Sequence, residues 1–130
     1  MTGRIAKAAL AYWAAVFALA FVIGALRVTW LAPRIGETGA VLIEVPVILA
    51  ASWFAARWAV RRFAIASAGQ AVAMGALAFA LLMASEALLA LVIGAGVAAW
   101  LAGMASTAGA IGLAGQVAFA VMPVVVRNRG

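Results

Sequence analysis

The chain has 130 residues, 70% of them hydrophobic and 9% charged, with a formal net charge of +6. A water-soluble domain is about 45–50% apolar and about 25% charged, so this composition cannot keep a globular surface wet. The length excludes two domains and fits four crossings of about 20 residues with short connections. The fold class expected is an all-α integral membrane protein, a four-transmembrane-helix bundle.

Four apolar runs stand out along the chain. The first extends from Ala8 to Leu26, between Lys7 and Arg27. Arg4 and Lys7 look like the basic start of a secretory signal, but the apolar stretch is longer than the about 7–15 residues of a signal core, so a retained helix is expected. The second run is apolar from Gly36 to Ala56, and its helix is expected to continue to about residue 60. Pro33 suits the first turn of this helix, where its missing N–H is harmless, and Glu37 is placed to pair with Arg34 three residues back. The third run covers Ala71 to Ile93 and the fourth Ala108 to Val126, stopping at Arg127.

Orientation follows from the cations. The N-terminal tail, the connection between spans two and three, and the C-terminal tail carry Arg4, Lys7, Arg57, Arg61, Arg62, Arg127 and Arg129. The other side has only Arg27 and Arg34, so both termini are expected in the cytoplasm. The Arg-over-Lys bias of an Ala-rich chain fits a GC-rich bacterial genome, hence the bacterial inner (cytoplasmic) membrane. Trp53, Arg57 and Arg61 fall four residues apart with Trp58 and Arg62 beside them, an aromatic and basic anchor for lipid headgroups or a partner. The cations sit at span ends, so nucleic acid is not an expected partner.

An offset of 70 residues lays Val22-Ile23-Gly24-Ala25 on Val92-Ile93-Gly94-Ala95, Trp30-Leu31-Ala32 on Trp100-Leu101-Ala102, and Gly39-Ala40 on Gly109-Ala110. The four spans are then readable as two repeated helical hairpins about an axis along the membrane normal.

Combining spans and orientation isolates one polar layer. Glu44 on span two, Glu86 on span three and Gln116 on span four each lie about eight residues, or about 12 Å, below the same face. Gly36, Ala40, Glu44 and Ser52 share one four-residue stripe, and Ala108, Gly112, Gln116 and Ala120 another. Such small-residue stripes face neighbouring helices. Glu86 shares its stripe with Ala90 and Gly94 on one side but Ala78 and Leu82 on the other, so the pattern fixes its direction less strongly. An acid at a span centre costs about 2.5–3.5 kcal/mol. It must stay protonated or find a cation, and Arg27 and Arg34 are the candidate counter-charges. Pro46, two residues after Glu44, is expected to kink or break the second span.

The chain has no cysteine and no histidine, and its only acids are Glu37, Glu44 and Glu86. Thiolate chemistry, thioether haem attachment, histidine haem ligation and histidine general-base catalysis are therefore excluded, and neither a catalytic constellation nor a metal site nor a cofactor is expected. Three functional readings remain. The leading one is a non-enzymatic protein acting by association, as an accessory or assembly subunit of a larger membrane complex or as a homo-oligomer. The alternatives are a proton- or cation-coupled transporter or channel using Glu44 and Glu86, and a lipid- or quinone-binding protein with its pocket below Trp30 and Trp100.

Overall fold

The computed structural model describes residues 2–128. The chain folds as α1 (Thr2–Leu26), a π-helical turn (Arg27–Leu31), α2 (Ala32–Ile35), α3 (Glu37–Arg62), α4 (Ala68–Val92), α5 (Val97–Gly103) and α6 (Thr107–Asn128). Four stretches are long and apolar enough to cross a membrane: Gly3–Ile35, Glu37–Arg62, Ala68–Val92 and Thr107–Asn128.

The first stretch does not stop at Leu26 as the hydropathy boundary implies; helical structure runs on to Ile35. In a regular helix the Pro33 ring would press on the carbonyl of Thr29, four residues earlier. The wider π turn lies just ahead of the proline, closed by the Ala32 N–H donating to the Arg27 carbonyl, and gives the ring room. Gly36 then ends the stretch with φ +86° and ψ 160°, a backbone state essentially reserved for glycine. Pro46, in contrast, neither breaks nor ends α3, which runs through it for 26 residues.

At the other end of α3 the chain reverses within five residues. Ala64 takes a left-handed φ of 52°, and the Ile65 N–H donates back to the Val60 carbonyl at 2.9 Å, a helix-ending motif sealed by the buried Ile65 side chain. Ser67 and Gln70 then start α4 with a reciprocal capping box. That signal is legible in the sequence as Ser-x-x-Gln, and it sets the start of α4 earlier than the apolar run does.

The four long helices pack in the cyclic order α1, α3, α6, α4. Much of the buried core lies toward the α3–α4 turn: Ala8, Ala9, Tyr12, Ala56, Ala59, Ala71, Met74 and Phe119 are buried there. Small residues let the backbones close up. A Cβ on Gly75 of α4 would overlap the Ala120 carbonyl oxygen of α6, and one on Gly115 would lie 3.1 Å from Val45. Pro123 withholds the N–H that would serve the carbonyl of Phe119, and the Tyr12 hydroxyl donates to that carbonyl instead, at 2.7 Å. The two rings stack with centroids 4.3 Å apart, tying α1 to α6 across the bundle.

The 70-residue offset survives in part. α3 starts at Glu37 and α6 at Thr107, which preserves it. The connections differ, because the second half turns at Gly94 and Gly96 and inserts α5 before α6 begins.

Candidate functional site

At the end of the bundle away from the α3–α4 turn, the helices enclose a cleft of about 730 Å³. Its floor is the buried Val16, Leu82 and Phe119, and its apolar walls include Phe17, Phe21, Val41, Ile48 and Leu89. The polar residues that face it are Arg27, Glu37, Glu44, Glu86, Ser106 and Gln116, together with the indole of Trp100.

The charged and amide groups fall into two sets on opposite walls. The π turn carries Arg27 to α3, where its Nε donates to Glu44 at 2.7 Å and its Nη1 to Glu37. Across the cleft, Gln116 on α6 donates its amide to Glu86 on α4. Trp100 on α5 lines the same space as Glu86. Glu44, Glu86 and Gln116 thus line one space, as their shared depth implies.

Three placements correct the sequence reading. Arg34 is not the partner of Glu37; it donates to the Trp30 carbonyl at 2.9 Å and lies 4.6 Å over the Trp30 ring. The widened turn swings Arg27 toward both glutamates, leaving Arg34 on its own exposed turn. Trp30 and Trp100, equivalent by the offset, also diverge: Trp30 is exposed, whereas Trp100 is half-buried at the cleft. The stripe of α6 is likewise not pure helix contact. Gly112 faces the cleft, where a Cβ would meet nothing within 4 Å.

No family model matches this chain, nor does any curated protein or solved structure. What the cleft can do is therefore argued from its own chemistry. Among the described residues, no three acidic, histidine or cysteine side chains converge as a metal site. The cleft instead combines a mostly apolar lining with a few charged and amide side chains set among it, a lining suited to an amphiphile.

The basic anchor at the opposite end divides in two. Arg57 and Arg61 of α3 join Arg127 of α6 around a pocket of about 410 Å³, where the Arg127 Nε donates to the Ala66 carbonyl at 3.2 Å. Arg62 turns away to lie 5.3 Å over Phe63, which meets exposed Trp58 edge-on. Trp53 is no surface anchor, since it packs against the core. Arg4 donates to the Ala64 carbonyl at 3.4 Å, so the start of α1 and the end of α6 flank the same turn. Arg129 lies outside the described residues.

The sequence reading missed Tyr12 and Arg127 as participants, and also Gly112 as a cleft residue. Tyr12 had a signal: a buried hydroxyl needs an acceptor, and Pro123 advertises a free one at Phe119. The cleft itself had none, because it depends on how far four helices separate.

Proposed function

We propose that this chain is a non-enzymatic, multi-pass membrane protein that holds a membrane-resident amphiphile in the cleft. The polar head of the ligand rests against Arg27, Glu44, Glu86 and Gln116, and its apolar part lies along Phe17, Phe21 and their neighbours. The single observation that carries this reading is the joining of both polar sets to one apolar cleft. Its volume falls within the about 300–1,000 Å³ usual for small-molecule sites. The closed floor favours a binding site over an open channel.

Large apolar side chains such as Phe54, Leu88, Val92 and Ile93 project outward from the bundle, a surface suited to lipid. We assign the arginine-rich end to the cytoplasm by the positive-inside rule, and the membrane to a bacterial inner membrane from the Arg-over-Lys, Ala-rich composition; the cleft then lies in the outer half of the bilayer. Association with other membrane proteins, or with a second copy, would use these same outer faces. A bilayer covers them equally well, so the cleft decides the reading.

Native mass spectrometry from a mild detergent tests the proposal. The wild type is expected to carry a small bound mass that is absent from Gly112→Leu, whose side chain fills the cleft from an open position. Retrieval of both proteins in one large membrane assembly, with no small mass, would favour the accessory-subunit reading.

A further inference from the structure

The charges inside the cleft point to the class of amphiphile, an inference that rests on the amphiphile reading above. Three carboxylates, of Glu37, Glu44 and Glu86, face the cleft with one guanidinium, that of Arg27. Arg27 is engaged by Glu37 and Glu44 on its own wall. Glu86 stands on the opposite wall, where its donor is the neutral amide of Gln116. The other cation at this end, Arg34, is held by the Trp30 carbonyl and ring. Among the described residues, no cationic side chain pairs with Glu86.

A carboxylate in an apolar space is costly unless it takes up a proton or a positive charge meets it, and a cationic ligand supplies the second. A compact metal ion is a poor candidate, because the acids do not converge on one point. The surroundings suit a larger cation with apolar substituents: Phe17, Phe21, Trp100 and Phe119 all line the same space, and aromatic faces attract positive charge. An anionic head would meet an excess of two negative charges if all three acids are ionised. A neutral head would leave Glu86 to its Gln116 hydrogen bond or to a proton, and would draw nothing from the acidic excess. We infer that the cleft selects amphiphiles with a cationic head, lipophilic amines or quaternary cations, whose charge rests against Glu86.

Two ions of matched size and shape but opposite charge, tetraphenylphosphonium and tetraphenylborate, separate charge from hydrophobicity. Equilibrium dialysis of the purified protein in a mild detergent, with the uncharged dye Nile red as a third probe, is the experiment. Gly112→Leu in the same detergent corrects for partition into micelles. Saturable tetraphenylphosphonium binding is expected in the wild type, with none in Gly112→Leu and no saturable tetraphenylborate binding. In Glu86→Gln, which keeps a hydrogen-bonding amide, the affinity for the phosphonium is expected to fall about tenfold or more. Equal binding of the two ions, or phosphonium affinity unchanged by Glu86→Gln, would overturn the charge inference. Nile red binding that Gly112→Leu removes, without phosphonium binding, would overturn it too while leaving the amphiphile site standing. If no probe distinguishes wild type from Gly112→Leu, both readings fail. The contrast between the two ions is read on the wild type, so it does not depend on a variant folding.

Discussion

Individual side chains in this bundle are held by what prolines withhold and what arginines reach. The Tyr12 hydroxyl replaces the hydrogen bond that Pro123 denies to the Phe119 carbonyl. Tyr12→Phe is therefore expected to cost about 1 kcal/mol, within the range found for polar contacts between membrane helices. In a Pro123→Ala background the carbonyl regains a backbone donor, and the same substitution should cost clearly less. Reversible unfolding in mixed micelles measures both, and an equal cost in the two backgrounds would contradict this division of labour. Arg27 is the second case, since one guanidinium serves two carboxylates. Arg27→Gln strands the half-buried Glu44 and is expected to lose about 2 kcal/mol, less than the full cost of breaking a sealed pair, because these groups keep contact with the cleft. Arg27→Gln with Glu44→Gln should be more stable than Arg27→Gln alone, which the same unfolding experiment would show.

Among the elements, closeness of approach decides where the bundle is solid and where it opens. Gly75 lets the α6 backbone come within reach of α4, and a Cβ there would have to displace the Ala120 carbonyl. Gly75→Ala is expected to destabilise by about 1–3 kcal/mol through forced separation of α4 and α6. Gly112→Ala, facing open space, should be neutral or slightly stabilising because it only improves helix propensity. Thermal unfolding of the two variants in one detergent separates these outcomes. The four long helices were legible because hydropathy reports length and composition, and the meeting of Glu86 with Gln116 was legible because equal residue counts put them at equal depth. The π turn was not, because it arises from the strain that Pro33 places on the turn before it. Hence Arg34, adjacent to Glu37 by simple helical spacing, was the wrong partner, and Arg27 the right one. Pro46 does not break the second span, since α3 runs through it.

For the whole molecule, the described cations separate by end, with Arg4, Lys7, Arg57, Arg61, Arg62 and Arg127 toward the α3–α4 turn and Arg27 and Arg34 at the cleft end. A chain without cysteine allows a direct test of orientation by single introduced thiols. A cysteine replacing Ser67 should be shielded from a membrane-impermeant maleimide in intact cells, and one replacing Ser106 should be labelled; the reverse pattern would invert the assigned topology. The cleft is proposed to hold a small amphiphile and not a protein segment. Phe21 lines the cleft and Phe54 projects outward with 70% of its surface exposed. The most direct measurement is photocrosslinking in native membranes from p-benzoylphenylalanine placed at Phe21, with the same residue at Phe54 as the bilayer control, followed by mass analysis of the adducts. A discrete small adduct at Phe21 that is absent at Phe54 is the predicted result. A crosslink from Phe21 to another polypeptide, or adducts identical to the bulk lipid captured at Phe54, would contradict it.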